Sequence, residues 1–302
     1  MLKRLLGVVP VVFGVLLLTF LLVHLVPGDP VEVMLGESAT SADRAQLRAE
    51  LGLDKPLAVQ FGSYLANLAQ GDFGRSIHTH LPVAELLKAR IPATARLALV
   101  AFVIAILIGL PLGIAAALRS NHWPDKLATL LSLTLSAMPA FWLGPLLMLV
   151  FALWLRLLPV SGMETPGSIV LPALTLGFGL AAILTRMTCA SLLEVLHEDF
   201  VRTARSKGLP ERIVILRHAM RAALLPVVTV LGLQLGGLLA GAVITETVFG
   251  WEGLGRLLVE SIEKRDYPVT QACVLVIALA YVFINLLTDL LYSRLDPRVR
   301  HA

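Results

Sequence analysis

A basic segment between residues 191 and 225 carries the side chains best suited to bind a charged partner. Its cations are Arg202, Arg205, Lys207, Arg212, Arg217 and Arg221. Glu198 and Asp199 suit the start of a helix, where negative charge is favourable. Gly208 suits the left-handed position that ends a helix, and Pro210 suits the first turn of the next one. The pattern predicts a short helix, a tight turn and a second, basic amphipathic helix.

Two interpretations of this segment follow from its residues. Two short helices of about 35 residues in total cannot bury a core of their own, so the segment is suited to dock into another protein. Alternatively, the second helix lies on anionic lipid and is held there by Arg212, Arg217 and Arg221. The residues alone favour neither interpretation.

The sequence lacks the motifs of the common catalytic sites. A Walker A loop needs Gly immediately before its Lys, so that backbone N–H groups can surround a phosphate. None of the six lysines follows a glycine. They are Lys3, Lys55, Lys88, Lys126, Lys207 and Lys264. The motifs G-x-S-x-G and H-E-x-x-H do not occur either. We therefore predict a chain that is not an enzyme and binds no cofactor itself.

The candidate metal ligands are few. His78 and His80 alternate without a third ligand nearby, which favours a solvated loop over a metal site and leaves the role of the two side chains open. Cys189 and Cys273 lie in apolar runs and form no C-x-x-C pair, so we expect small buried hydrophobic residues.

The rest of the chain, which must position these residues, is mostly apolar. Of the 302 residues, 57% are apolar and 15% are charged, and the mean hydropathy is +0.82. Soluble domains have about 25% charged residues. Six runs are close to the 20 or so apolar residues that cross a bilayer, and they are Leu5–Val26, Thr94–Leu118, Leu127–Leu153, Ile169–Cys189, Leu225–Val248 and Pro268–Leu291. The alternating segments of a β-barrel are missing. We predict an all-α polytopic membrane protein with six transmembrane helices.

The domain organisation follows from these runs. The first run follows Lys3 and Arg4, as in a signal peptide, but no A-x-A-like cleavage site follows it, so we interpret it as an uncleaved membrane helix. The predicted parts are an N-terminal helix (1–26), a small folded cap (27–93), a core (94–292) with helices near 94–118, 127–153, 169–189, 225–248 and 268–291, and a tail (293–302).

The distribution of basic residues predicts the orientation. With the N-terminus inside, fourteen Lys and Arg residues lie in inner segments, and four lie in short outer loops. An excess of Lys and Arg marks the cytoplasmic side. Both termini and the loop 191–225 are therefore predicted to be cytoplasmic, and the cap extracytoplasmic. A net charge of +4 is too small to indicate a nucleic-acid partner.

Polar residues inside the apolar runs are candidates for a solute path, because burying them in a bilayer is costly. Ser132, Ser136, Gln234 and Asn285 are the candidates. The serines can instead bond back to their own helix. Gln234 and Asn285 suit either the path or a subunit interface. Gly232 and Gly236 have the G-x-x-x-G spacing that predicts close helix packing.

The basic segment resembles the EAA loop of ABC-importer permeases. The resemblance rests on Thr203-Ala204-Arg205-Ser206-Lys207-Gly208-Leu209, then Arg217-His218-Ala219, then Leu224-Leu225-Pro226. Arg202-Thr203-Ala204 stands where the general pattern has Glu-Ala-Ala, and Pro226 follows Gly208 by 18 residues, which is further than usual. Both departures are shared by the first permease subunit of the peptide/nickel/glutathione branch.

Other segments resemble the same branch in the same order. They are Leu25-Val26-Pro27-Gly28-Asp29-Pro30, Leu51-Gly52-Leu53-Asp54-Lys55-Pro56, Gly71-Asp72-Phe73-Gly74-Arg75-Ser76, Phe249-Gly250-Trp251-Glu252-Gly253-Leu254-Gly255, Arg265-Asp266-Tyr267-Pro268 and Leu295-Asp296-Pro297-Arg298. The resemblance therefore covers nearly the whole chain.

The resemblance implies a type I ABC-importer permease fold in the inner membrane of a bacterium, with the cap after helix 1. It implies that the short helix is a coupling helix that enters a cleft of an ATP-hydrolysing subunit, with contacts by Arg202, Thr203, Ala204, Arg205, Lys207, Gly208 and Leu209. The implied partners are a sister permease in a heterodimer, two ATP-binding subunits, in which ATP-Mg acts, and an extracytoplasmic solute-binding protein.

Alternatives exist both for the solute that is carried and for the class of membrane protein. Permeases of this kind carry dipeptides, oligopeptides, glutathione, nickel chelates or oligosaccharides, and we favour a di- or oligopeptide. A secondary transporter would show paired charges near the bilayer midplane and an internal repeat. The sequence shows no repeat, and its charges cluster at helix ends. A membrane hydrolase would need a catalytic motif.

Overall fold

Helices make up most of the chain in the computed structural model, which describes residues 2–25, 31, 35, 40–50 and 52–295. The helices are α1 (Leu2–Leu25), α2 (Ser41–Glu50), α3 (Leu57–Ala69), α4 (Val83–Leu118), α5 (Trp123–Ala137), α6 (Ala140–Trp154), α7 (Val170–Leu196), α8 (Asp199–Ser206), α9 (Glu211–Phe249), α10 (Leu254–Glu263) and α11 (Tyr267–Leu295). Within the described part of the chain, β-type pairing is limited to one bridge between Arg75 and Pro82.

The number and length of the helices agree with the predicted fold class. Four helices (α4, α7, α9 and α11) are long and apolar enough to cross a membrane, and α5 with α6 forms a fifth candidate span. Helix α1 has 24 residues, which corresponds to about 36 Å and is enough for a sixth. An all-α membrane protein is confirmed.

The predicted helix 127–153 is divided in the structure. Helices α5 and α6 meet at Met138 and Pro139 with a bend of 110°. Pro139 has no N–H to continue the helix, and it forces Met138 out of the helical region. Met138 accordingly has an extended backbone with ψ 119°.

The helix predicted at 94–118 begins earlier, at Val83. Its first turns belong to the region predicted as the cap. They are helical because Val83 and Leu87, one turn apart, are buried in an apolar cluster with Leu254, Val269 and Cys273.

The chain forms two units. Unit 1 consists of Met1–Thr94 with Glu252–Val282, and unit 2 consists of Ala95–Trp251 with Phe283–Ala302. Three segments named in the sequence analysis lie outside the described residues, namely 26–30, Leu51 and 296–302.

In unit 1, aromatic rings join α3 to α1. Phe61 has its ring centroid 5.9 Å from that of Phe13 and 5.2 Å from that of Phe20. The Tyr64 hydroxyl lies 3.2 Å from the Thr19 hydroxyl. Helix α3 is therefore fixed along the apolar helix α1.

In unit 2, helices approach closely where glycine replaces a side chain. A Cβ atom on Gly113 of α4 would lie 2.6 Å from Cβ of Thr188 on α7, and one on Gly232 of α9 would lie 1.8 Å from Cγ2 of Thr288 on α11. The close packing predicted at Gly232 is present. Gly236, the second glycine of the G-x-x-x-G pair, is also buried.

Candidate functional site

Helix α8 has one face buried in unit 2 and one face exposed. Val201 is fully buried and Ala204 is 5% exposed. Both pack in an apolar cluster with Leu192, Val214 and Ala219. The face away from this cluster consists of Phe200, Arg202, Thr203, Ser206 and Lys207, all of which are exposed.

The orientation of α8 changes the role expected of Ala204. The resemblance implied that Ala204 is one of the residues that contact the ATP-hydrolysing subunit. Instead, Ala204 contacts residues of its own unit, so its small size serves the packing of α8 on α7 and α9. The exposed residues Arg202, Thr203 and Lys207 remain suited to a partner surface.

The turn after α8 depends on Gly208. Its φ of +74° is left-handed, a conformation that residues with a Cβ adopt at a cost. The N–H of Gly208 donates to the carbonyl oxygen of Arg205 at 2.9 Å. No atom lies within 4 Å of the place where a Cβ would be, so the glycine is required by the backbone conformation and not by lack of space.

An ion pair crosses the same turn. Arg205 Nη2 donates to Glu211 Oε1 at 2.8 Å, and Arg205 Nε donates to Oε2 at 3.2 Å. This hydrogen-bonded contact with Glu211 raises the pKa of the Arg205 guanidinium. Arg205 therefore braces the turn between α8 and α9. Sequence analysis missed Glu211, although its opposite charge six positions after Arg205 was a usable signal.

The second helix predicted in the segment is not a separate element. Glu211 begins α9, which continues through a π-helical stretch, Val214–Ala219, into the apolar span and ends at Phe249. Val214, Ile215 and Ala219 are buried against α7 and α8. A helix lying on lipid would present this apolar face to the membrane, whereas here it is covered by protein.

Two of the four polar candidates in the membrane runs line one cavity. Ser136 and Gln234 contribute to a cavity of about 310 Å³ in unit 2, together with Gly179, Gly237 and Gly241. The glycines leave space, and the two polar side chains provide hydrogen-bonding groups.

The other two candidates have different positions. Ser132 is 3% exposed on α5 and does not line this cavity. Asn285, on α11, does not line it either. Its Oδ1 atom is buried and has no hydrogen-bond partner among the described residues.

In unit 1, a buried carboxylate connects two loops, and we call this contact the Asp266 clasp. Ser76 Oγ donates to Asp266 Oδ2 at 2.5 Å, and the Ile77 N–H donates to Oδ1 at 3.2 Å. Next to it, His78 Nε2 lies 2.6 Å from the carbonyl oxygen of Lys264. The residues described contain no group of three metal-ligating side chains, and the contact of His78 is structural.

Comparison with known proteins identifies the family. Residues 109–301 match the family described as "Binding-protein-dependent transport system inner membrane component", and residues 1–98 match the corresponding N-terminal family. The chain is 46% identical over 300 residues to the glutathione transport system permease protein GsiC of Salmonella paratyphi A, covering 99% of this chain and 98% of that one. The GsiC protein of Pectobacterium atrosepticum is also 46% identical, over 299 residues, with the same coverage.

Solved structures share the fold. An inward-facing MetNI methionine ABC transporter matches with a TM-score of 0.60 and 15% identity, covering 70% of this chain and 96% of that one. An amino acid ABC transporter crystallised with histidines matches with a TM-score of 0.52 and 18% identity, covering 71% and 94%. Permeases of this kind act together with an ATPase and a binding protein. This chain belongs to the family of binding-protein-dependent transport system inner membrane components, and it is the multi-pass translocation subunit of an ABC importer.

Proposed function

We propose that this permease admits small peptides, including glutathione, into a bacterial cell. The support for this solute class is the 46% identity, over 98% of the relative's length, to permeases named for glutathione transport. A peptide offers amide and carboxylate groups, which need hydrogen-bonding partners along the way.

The observation that carries the proposed mechanism is the shape of the segment around α8. Its inner face is buried, its outer face is basic and exposed, and Gly208 fixes the reversal into α9. In the proposed mechanism, Arg202, Thr203 and Lys207 contact the ATP-binding subunit, and Arg205 braces the turn. Leu209, half-buried beside the same cluster, keeps the turn against unit 2.

A movement of the ATPase is then transmitted directly to the membrane helices. Because α8 packs on α7 and α9, a displacement of α8 is transmitted to two membrane helices without a flexible linker. One interface that takes two positions can thereby gate a distant path. Gln234 lies further along α9 and lines the cavity of about 310 Å³, which we assign to the solute path together with Ser136.

The assembly proposed is a heterodimer with a sister permease, two ATP-binding subunits and an extracytoplasmic solute-binding protein. ATP-Mg acts in the ATP-binding subunits, and this chain contributes no catalysis and no cofactor. Both termini are cytoplasmic, as the excess of basic residues in the inner segments indicates.

Reconstituted vesicles test this function. The complete complex is placed in vesicles, and uptake of radiolabelled glutathione and of a dipeptide is measured with ATP inside and the binding protein outside. We expect uptake to require both additions and to be unaffected when proton and sodium gradients are dissipated. Uptake driven by an ion gradient without ATP would contradict the proposal. Uptake of only a non-peptide solute would contradict the solute assignment.

A further inference from the structure

Unit 1 contains a cavity of about 420 Å³ that the transport mechanism does not use. We propose that it binds a small amphiphilic zwitterion, a molecule with one cationic and one anionic group attached to an apolar part. The volume lies in the range of small-molecule sites, and the wall mixes apolar side chains with a few polar groups, as such sites do. The apolar wall includes Phe20, Tyr64, Leu68 and Phe73.

The polar wall carries both signs of charge. Lys55 and Asp72 line the cavity. Asp72 Oδ1 accepts a hydrogen bond from the N–H of Gly74 at 2.8 Å. In the described chain, neither Asp72 Oδ2 nor Lys55 Nζ makes a hydrogen bond or ion pair. One unpaired cation and one unpaired carboxylate oxygen, both on exposed side chains, suit a ligand with the opposite pair of charges.

The walls are held in place without a ligand. Gln60 Nε2 donates to the carbonyl oxygens of Lys55 at 2.8 Å and of Leu53 at 3.2 Å. On the other side, Gln271 Nε2 donates to the carbonyl oxygen of Thr19 at 3.1 Å. A site with fixed walls loses less entropy when it binds.

The apolar wall requires that the ligand also has an apolar part. The ring centroids of Phe20 and Tyr64 lie 5.8 Å apart. Phe20 belongs to the apolar helix α1. Two molecules share the required chemistry: a short peptide with free termini, and the headgroup region of phosphatidylethanolamine. In the peptide, Lys55 contacts the carboxylate and Asp72 the amino group; in the lipid, Lys55 contacts the phosphate and Asp72 the ammonium group.

This proposal does not rest on the proposed transport function. All residues lining this cavity belong to unit 1, and the residues assigned to coupling and to the solute path belong to unit 2. Loss of zwitterion binding and loss of ATP-driven uptake are therefore separate results.

The first experiment uses the parent protein only. The transporter complex, purified without its binding protein, is kept in a nonionic maltoside detergent, which carries no charged group. One arm measures binding of radiolabelled leucyl-phenylalanine and of its N-acetyl and C-amide derivatives. The other arm counts retained lipid by native mass spectrometry with added phosphatidylethanolamine or phosphatidylglycerol. We expect saturable binding of a zwitterionic probe, and a loss of about tenfold when either charge is removed, as hydrogen bonds to charged groups give.

The second experiment locates the site. Lys55→Gln and Asp72→Asn each remove one charge from the wall, and Ser63→Trp fills the cavity, which Ser63 lines. Lys88→Gln and Glu85→Gln are matched controls on exposed positions of α4 outside it. We expect the three cavity variants to weaken binding about tenfold or more and the controls to leave it unchanged.

The outcomes separate the two sources. If dipeptide binding depends on Lys55 and Asp72, the ligand is peptide-like. If phospholipid retention depends on these two residues, the ligand is the phospholipid. Absence of saturable binding in both arms overturns the proposal, as does binding that is the same in the cavity variants and the parent. If the cavity variants do not assemble, the charge-masked probes decide on the parent: equal binding of masked and unmasked probes overturns the site.

Discussion

Glycine is required for two different reasons at two positions of this chain. At Gly208 the backbone has a left-handed φ of +74° with open space around it, whereas at Gly232 the neighbouring helix leaves no room for a Cβ. The first constraint follows from a turn between two helices and is visible in the sequence. The second depends on which residue of α11 faces Gly232, and Thr288 lies 56 positions further along the chain.

Gly232→Ala tests the close contact of α9 with α11. The new methyl group would lie 1.8 Å from Thr288 Cγ2, so helices or side chains must move. We expect a loss of about 1–3 kcal/mol of stability, the usual cost of overpacking, measured as the thermal stability of the purified complex. Gly237→Ala is the control, because it is on the same helix with nothing within 4 Å. Equal melting of both variants and the parent would disprove the contact.

Arg205→Ala and Glu211→Gln test the brace across the turn. The side chains are 43% and 55% exposed, so each change should cost at most about 1 kcal/mol. Because both remove the same ion pair, their effects should not add. The measurement is a double-mutant cycle on the affinity of the complex for its ATPase. Fully additive losses would show that Arg205 acts on the partner independently of Glu211.

The sequence predicted the exposed residues around α8 better than the buried ones. Gly208 and Pro210 predicted the turn, because few other residues suit those positions. The direction of Ala204 was not predictable, since an eight-residue helix with many charges does not show whether its small residue faces its own chain or a partner. Gln234 and Ser136 were found from polarity alone, but their shared cavity depends on how α5 and α9 pack.

At the scale of elements, hydropathy predicted which segments form long apolar helices but did not predict where one of them bends. The run 127–153 is apolar throughout, so a composition window cannot detect the 110° bend at Pro139. Membrane helices often contain prolines without breaking, as α4 does at Pro92 and Pro111. The continuity of α9 was missed for the opposite reason, because its first turns are basic and its later ones apolar.

Asp266→Ala tests the Asp266 clasp, which joins loops 190 positions apart in the chain. The change leaves the buried Ser76 hydroxyl and Ile77 N–H without their acceptor, and an unsatisfied buried group costs about 1–3 kcal/mol. Protection from proteolysis at residues 71–80 in whole vesicles should decrease. Glu263→Ala, which removes an exposed carboxylate three positions away, should leave it unchanged. Equal protection in both variants would mean that the clasp is not what holds the loop.

At the scale of the whole molecule, orientation decides which surfaces meet which partners. Cysteine at Ser63 should react with a membrane-impermeant maleimide in intact cells, and cysteine at Ser206 only after the membrane is opened. Both positions are exposed in the folded chain, and the permeases are expressed without the ATP-binding subunits, so that these do not cover position 206. The parent's Cys189 and Cys273, half-buried and buried, provide the background. Labelling at position 206 in intact cells would reverse the orientation.

The most direct test of coupling through α8 compares Gly208→Val with Gly208→Asn in the reconstituted complex. A β-branched residue adopts φ of +74° at a cost of about 1–3 kcal/mol, whereas Asn tolerates this conformation. Uptake, ATP hydrolysis and ATPase co-purification are measured together on each variant. We predict that the Val variant stays inserted but takes up less solute per ATP hydrolysed, and that the Asn variant resembles the parent. A Val variant that binds the ATPase and transports at the parent rate would contradict the assignment of α8 as the coupling element.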